Sequence, residues 1–404
     1  MKSSNASKTS DRFGRYYTDS AVARVLVNSM GMNNPRIAID LGTGNGSLVG
    51  EASRHWNITK FVTVDIDNEV SSLFHQFKYS NFTHYTGDAL ELGLSEKIGV
   101  PLGTVDSGLC NPPYIRPKWR QTFGEILEDA GLSAVIPKLS CIHADVLFLA
   151  QNLRFLRKGG KLGLILPDGL IAGDRYVKLR QNLTLAHRLE RVIELPRGVF
   201  SKTDAKAHIV VLSKQEVPST ATQIQRLEIN GDLTDPIYIS PDQAGIRLDY
   251  SFLRINNRIN YQCDRIAIRN ITELVTRGIY SSAIRKELNF PVFHSTDFDH
   301  NSSEVPRNFL LKEVPSNLSK DKIAHQGDIL IARVGRNLEE KICLVSNGYV
   351  AVTDCIFVLR ITQNWRQKTF RFLTSPQGRE AVSAISHGVG AKFITKDALL
   401  GLEI

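Results

Sequence analysis

The chain has few cysteines and no pattern among them. Its five, Cys110, Cys141, Cys263, Cys343 and Cys355, are widely spaced and include no C-x-x-C pair, which excludes a disulfide framework and a zinc-ligand motif. No metal is expected. The chain also lacks any apolar run approaching the roughly 20 residues that cross a bilayer. Residues 1–10 have no apolar core of the kind a signal peptide needs. A membrane partner is thereby excluded, and a disordered N-terminus over 1–11 is expected on a cytoplasmic protein. There is no short-period repeat, no low-complexity tract and no P-D-x(n)-E-x-K nuclease constellation, so cleavage chemistry is not expected of this chain. Acids are outnumbered, with 50 Lys and Arg against 41 Asp and Glu and a net charge of +9. That balance favours a polyanionic partner such as nucleic acid.

At 404 residues the chain exceeds the size at which a single core stops growing, so two domains are expected. Short apolar runs alternate with helical patterns from 36 to 214, the signature of a parallel α/β sheet. The patterning predicts strands over 36–41, 61–65, 84–87, 105–110, 161–167, 189–195 and 208–212. These seven would make one doubly wound sheet. A helix is predicted over 144–156, closed by R-K-G-G with Gly159 and Gly160 as a C-cap. Residues 215–260 are rich in turn chemistry and read as a linker. Beyond it, runs at 327–335, 342–352 and 355–361 read as consecutive strands of a second, α+β, β-rich domain over 261–404.

The first strand ends in D-L-G-T-G-N-G at 40–46, ahead of a helix start. Close glycines there let the backbone approach a ligand, and the helix N-terminus offers free N–H groups. Asp65, at the end of the second strand, can accept both hydroxyls of an adenosine ribose. The spacing is G-x-G-x-G rather than G-x-G-x-x-G, and Asp40 precedes the first glycine. That acid suits a sulfonium cofactor, S-adenosylmethionine (SAM), whose methionine end carries an ammonium.

The fourth strand runs into N-P-P-Y at 111–114, at the carboxyl edge where ligands of open α/β sheets bind. The prolines fix φ and carry no N–H, leaving the carbonyls of Asn111 and Pro112 as acceptors. An amide oxygen with a backbone carbonyl can take both hydrogens of a planar amino group. Such acceptors stabilise the positive charge that develops as a nitrogen attacks a methyl sulfonium. Tyr114 offers a face for a base taken out of its duplex. Cys110 invites a covalent mechanism, but attack by an exocyclic amine needs none, and a strand-end cysteine reads as packing. His143 and Asp145 read as surface or capping residues, not a hydrolytic pair.

In order, D-L-G-T-G-N-G, V-D-I-D, G-D-A and N-P-P-Y resemble the SAM-dependent DNA methyltransferases of the adenine-N6 kind. R-F-G-R-Y-Y-T at 12–18 resembles that family's N-terminal motif, while L-I-L-P-D-G-L at 164–170 and E-L-P-R-G-V-F at 194–200 are similar to type I modification subunits. The likeness covers 12–214 and implies a SAM methyltransferase domain there. It assigns Tyr17 and Thr18 to the methionine end, Asp40, Gly42 and Gly44 to the cofactor loop, Asp65 to the ribose and Asp88 to the cofactor's adenine amino group. Asn111 and Pro112 receive the target amine, Asn111 also bordering the cofactor. Tyr114 stacks on the target base, and Phe200 matches the aromatic that covers it from the other side. Arg116, Lys118 and Arg120 with Trp119 then form a phosphate-facing loop.

The second domain resembles a target-recognition domain of type I specificity subunits, with Arg333, Arg336 and Lys392 as candidate DNA contacts. What this resemblance implies is site-specific adenine-N6 methylation of double-stranded DNA by base flipping and direct attack, in the prokaryotic cytoplasm at the nucleoid. Its setting is a restriction-modification or related defence system, any cleavage being done by a separate restriction endonuclease. The chain stops at L-L-G-L-E-I, without the long helix that follows in specificity subunits, so a monomer, or a chain cut at this point, is expected. Two rivals stand beside this reading: a cytosine-N4 DNA methyltransferase with the same acceptor geometry, and a non-catalytic DNA specificity factor.

Overall fold

The structure, a computed structural model, describes residues 18–70, 81–136, 141–199, 206–214, 220–259, 266–299, 302–316, 318–388 and 391–404. It divides into two compact units, Met1–Tyr250 and Ser251–Ile404. Among the described residues no helix is long and apolar enough to cross a membrane.

In the first unit, strands β1 (Ile37–Leu41), β2 (Lys60–Asp65), β3 (Phe82–Thr86), β4 (Val105–Cys110), β5 (Leu156–Pro167), β6 (Arg188–Glu194), β7 (Ala207–Ser213), β8 (Thr222–Arg226) and β9 (Ile237–Ile239) form one sheet in the order β3-β2-β1-β4-β5-β7-β6-β8-β9. The pairs from β3 to β5 are parallel, and β7 runs antiparallel between β5 and β6. Every residue of β4 and β7 is buried, as expected of central strands covered on both faces. Strand order reverses between β1 and β4, the topological switch point where a crevice opens at the carboxyl ends.

Helix α1 (Ser20–Ser29) starts where Asp19 accepts the Ala21 N–H at 2.7 Å. It lays Val22, Ala23, Leu26 and Val27 on the sheet. Gly163 of β5 permits this approach, since a Cβ there would lie 2.7 Å from Leu26 Cδ2 and 2.9 Å from Met30 Sδ. Helix α2 (Ser47–His55) packs beside α1 in the same core cluster. After α3 (Leu94–Ile98) and α4 (Thr122–Asp129) comes α5 (Ala144–Phe155), in which every residue is buried. A helix apolar on all sides of its middle turns reads as interior.

Three expectations change. R-K-G-G does not cap α5, because Leu156 is already extended and begins β5. Val105 pairs with Leu156 and Ser107 with Lys161, so 157–160 bulge out between them and Gly159, at φ +74°, makes the bend. Left-handed glycine chemistry serves bulges as well as helix ends. Helices α6 (Asp168–Ala172) and α7 (Val177–Ala186) follow β5, and among the described residues the sheet has nine strands, not seven, because the presumed linker carries β8, β9, α8 (Pro241–Ile246) and α9 (Tyr250–Ile259). Its turn signals are real, as Gly231 at φ +91° shows, but they punctuate a sheet extension whose Ile224, Ile239 and Leu248 are buried. The unit boundary accordingly falls after Tyr250.

The second unit holds β10 (Thr272–Arg277), β11 (Val292–Phe293), β12 (Ala324–His325), β13 (Ile329–Ala332), β14 (Val334–Gly335), β15 (Ile342–Leu344), β16 (Tyr349–Val352), β17 (Ile356–Ile361) and β18 (Lys392–Phe393). They form a sheet β10-β17-β13-β15, a sheet β11-β16-β12 and a ribbon β14-β18. The run 342–352 is split, because Gly348 at φ +62° turns the chain and sends β15 and β16 into different sheets. Helices α10 (Gln363–Thr374), α11 (Pro376–Ala384) and α12 (Lys396–Leu400) complete the unit, with Leu373, Val382 and Leu399 in its core.

Candidate active site

A cavity of about 220 Å³ opens at the switch point. Its floor is the turn after β1. Gly42, Gly44 and Gly46 all take left-handed φ, +74°, +54° and +74°, a region that side-chain-bearing residues rarely enter. At Gly42 space is short as well, for a Cβ would lie 3.1 Å from Phe148 Cε1. The turn is tied to β2 by Gly42 and Thr43, whose N–H groups donate to Val64 O at 2.8 and 3.1 Å. Asp65 completes the tie, accepting the Gly44 N–H on Oδ2 at 2.8 Å and the Asp67 N–H on Oδ1 at 2.9 Å. Each carboxylate oxygen keeps a further lone pair for a donor from the cavity.

Asp40 is buried at the cavity wall. Its Oδ2 accepts the Thr43 hydroxyl at 2.9 Å, while Oδ1 is buried with no hydrogen-bond partner among the described residues. Burial, with the charge of Asp65 adding to it and the Thr43 bond opposing it, pushes the carboxyl up to about 7. A buried acceptor without a donor is costly. An ammonium arriving there would satisfy the oxygen and favour the ionised form, so this donor set fits the methionine end of SAM.

Asn111 follows directly on β4 and its Nδ2 donates to Thr18 Oγ1 at 3.0 Å, turning the amide oxygen to the other side of its carbon. Asn111 and Pro113 line the cavity, Pro112 is buried, and Tyr114 is half-buried. The same loop goes on to add Ile115, Pro117 and Arg120 to the cavity wall. The rest of that wall comes from Ile66 after β2, Asp88, Ala89 and Leu90 after β3, and Ala144 and Phe148 of α5.

The loop's cations part company. Arg116 and Lys118 are exposed, with Arg116 Nη2 3.5 Å from His143 Nε2. Arg120 instead donates to Asp88 Oδ2 at 2.7 Å, and its guanidinium lies 4.4 Å from the Phe123 ring centroid. Trp119 packs edge-on against Phe123, 5.8 Å between centroids. One expected phosphate-facing group is therefore divided between the surface and the cavity. Tyr17 and Phe200 lie outside the described residues.

Cys110 is wholly buried and donates its thiol to Leu41 O at 3.1 Å. Burial, then the charge of Asp40, hold that thiol well above its ordinary range, which suits packing and not nucleophilic attack. Asp145 is a correction. It is no surface residue, because α5 is buried on every side, and burial pushes its carboxyl up to about 6. His143 occupies the N-cap position of α5 without a side-chain capping bond.

Thr43, Ile66, Leu90 and Phe148 are cavity residues that sequence reasoning missed. Ile66 and Leu90 could have been found as apolar neighbours of Asp65 and Asp88 at strand ends. Phe148 carries no local signal, being one of many apolar residues in a buried helix.

A second buried cluster stands on the same edge, where β5 ends and β7 begins. Lys206 Nζ lies 3.2 Å from Glu194, 3.6 Å from Asp168 and 3.6 Å from Asp249. His208 Nε2 is 3.1 Å from Asp168 Oδ1, and Arg247 meets both oxygens of Asp249 at 2.8 Å. Burial opposes the charge of Lys206, but the three carboxylates outweigh it and hold its ammonium above the ordinary range. The L-P-D-G and E-L-P-R motifs meet here.

In the second unit, Gly335 of β14 pairs with Lys392 of β18, and the Ile394 N–H donates to Arg333 O at 2.9 Å. Arg333, Arg336 and Lys392 are thus grouped on one ribbon. Arg336 is exposed, whereas Arg333 is half-buried and donates from Nε to Asp354 O at 3.0 Å. No group of three or more His, Cys, Asp or Glu side chains that could hold a metal occurs among the described residues.

A family model described as N-6 DNA methylase matches residues 1–233. The chain is 25% identical over 218 residues to the methylase subunit of the type I restriction enzyme EcoEI of Escherichia coli, a match covering 50% of this chain and 42% of that protein. It therefore spans less than half the length of that relative. Among solved structures it is similar to the type IIG restriction endonuclease BpuSI, with 13% identity, 97% of this chain and 59% of that chain covered, and a TM-score of 0.53. The methyltransferase subunit of a type I restriction-modification system from Streptococcus thermophilus is 20% identical, with 63% and 55% covered and a TM-score of 0.46.

Proposed function

The chain belongs to the N-6 DNA methylase family, and from that premise we propose that it transfers a methyl group from SAM to the exocyclic N6 of adenine in duplex DNA. The observation that carries this reading is that one cavity is lined both by Asp40 with its glycine turn and by Asn111. Cofactor site and acceptor amide are neighbours.

Bound SAM supplies an electrophilic methyl on a sulfonium centre. Asp40 and Thr18 hold the methionine end, Asp65 the ribose and Asp88 the adenine amino group. The Asn111 amide oxygen and the Pro112 carbonyl accept the hydrogens of the target amine. They thereby localise its lone pair and stabilise the positive charge that grows on nitrogen as it attacks. Tyr114 and Phe200 stack on the extruded base. The ribbon carrying Arg333, Arg336 and Lys392 contributes DNA contacts, and Arg116 and Lys118 hold phosphate near the reacting base. A separate endonuclease as partner belongs to the same reading.

Transfer of a tritiated methyl from SAM to duplex DNA tests it, with the digest separated into nucleosides. N6-methyladenine is expected, and Asn111→Ala should lower kcat by about 10²–10³-fold, the range for loss of one preorganised partner of developing charge. N4-methylcytosine in the digest, or full activity in Asn111→Ala, would overturn the assignment.

A further inference from the structure

Arg120 shares the R-P-K-W-R segment with Arg116 and Lys118, yet the three cations have different surroundings. All three are exposed, the Arg120 side chain by 45%, but of the three it is Arg120 that lines the cavity. It is held from two directions: Asp88 Oδ2 accepts from it at 2.7 Å, and the Phe123 ring supports its guanidinium at 4.4 Å. Phe123 is fully buried at the start of α4, so that support is fixed in the core. Asp88 is fixed in turn, its Oδ1 accepting the Leu90 N–H at 2.8 Å. A guanidinium that donates to one side of a carboxylate leaves the remaining lone pairs aimed at whatever enters the cavity.

We propose that Arg120 is a cofactor-positioning residue and not a DNA contact: it bridges Asp88 to the loop that carries Asn111, so that cofactor occupancy and the position of that loop are coupled. The inference rests on the proposed use of the cavity for SAM and assigns its adenine end. The walls there suit a flat, uncharged heterocycle with an amino group. Ile115 and Pro117 of the same loop, with Ile66 and Leu90, give the cavity apolar surfaces for its faces. The paired Asp88 supplies an acceptor for its edge. A phosphate in the same place would meet the carboxylate and be repelled. One segment thus provides the acceptor amide at one end and a latch on the cofactor pocket at the other. Loading the pocket therefore stiffens the loop that receives the base.

Titration calorimetry with SAM and with S-adenosylhomocysteine, in the absence of DNA, separates the roles. Arg120→Ala should weaken both ligands by tenfold or more, and Arg120→Lys, which keeps the charge but not the planar fork, should recover part of the loss. Asp88→Asn should weaken them similarly, and the double variant should be little worse than either single one. The slope of log K for DNA against log salt should be unchanged in Arg120→Ala, whereas Arg116→Ala or Lys118→Ala should reduce it by about one. Addition of SAM should change the tryptophan emission of the wild-type protein, and Trp119→Phe should remove that change. Thermal melts of each variant report folding. Wild-type cofactor affinity in Arg120→Ala overturns the inference, and a reduced salt slope with it would make Arg120 a phosphate contact. If the wild-type protein takes up no SAM, the proposed function fails. If it binds SAM and Asp40→Ala does not, while Arg120→Ala binds normally, only the role of Arg120 fails.

Discussion

Asp40 is buried and Lys206 nearly so, its side chain 12% exposed, at the carboxyl edge of the same sheet, but their surroundings are completed to different degrees. Lys206 lies among Asp168, Glu194 and Asp249, with Arg247 and His208 satisfying the flanks of that cluster. Asp40 has one hydrogen bond, from Thr43, and one buried oxygen that no described group serves. Burial of charge by itself therefore says little about function. A complete partner set marks a structural tie, here between the sheet and the 241–249 extension, while an incomplete one marks a place held open for a ligand.

The strongest way to break this comparison is to remove the cation at the centre of the complete cluster. Lys206→Met leaves three carboxylates short of a counter-charge, and we expect a loss of about 3–5 kcal/mol in urea unfolding, as for other buried pairs broken on one side. A loss below about 1 kcal/mol would show that the cluster is more solvated than its burial implies.

Asp40→Asn should act in the opposite sense on stability while weakening cofactor binding. The folded carboxyl titrates near 7 against 3.8 when free, so its protonated form is favoured by folding and its contribution is lost as pH rises through 7. The variant should accordingly be more stable than wild type above pH 7, with the advantage vanishing below about pH 4. SAM affinity of the wild type should rise with pH up to about 7 as Asp40 ionises to meet the ammonium, and the variant should show a flat, weak profile in calorimetry at pH 5.5–8. A pH-independent wild-type affinity would refute the pairing of Asp40 with the cofactor.

The smallest effect belongs to Cys110, buried beside Asp40 but already provided with a hydrogen-bond acceptor. Cys110→Ala should cost about 1 kcal/mol through the small void it leaves. Methyl transfer should be retained within a few-fold, measured by the same tritium assay. Loss of turnover in this variant would reopen a covalent mechanism.

Much of the first unit was legible because its signals are local. Strand-length apolar runs place β1, β2, β4, β5 and β7 to within a few residues, and the turn after β1 requires glycine by its own φ angles. N-P-P-Y at the end of a buried strand has to emerge at the sheet's carboxyl edge. The same local chemistry misled where one signal serves two ends. Gly159 reads equally as a helix cap or a bulge, and the pairing of Val105 and Ser107 with β5 decides for the bulge. Turn residues over 215–260 read equally as linker or as hairpin corners, and the buried Ile224 and Ile239 make them corners.

By itself, then, the amino-acid order determined most strands of the first sheet and the two motifs at its carboxyl edge, since strand periodicity and proline and glycine stereochemistry act between near neighbours. Only tertiary structure could decide which charges are completed and which are held open. Arg120 looks like Arg116 and Lys118 in sequence, and it becomes a cavity residue because Asp88, from another strand end, lies 2.7 Å away. Asp40 likewise looks like any acid before a glycine turn. Its raised pKa comes from burial between β2 and β4, with the charge of Asp65 adding to it, and that burial depends on residues distant in the chain.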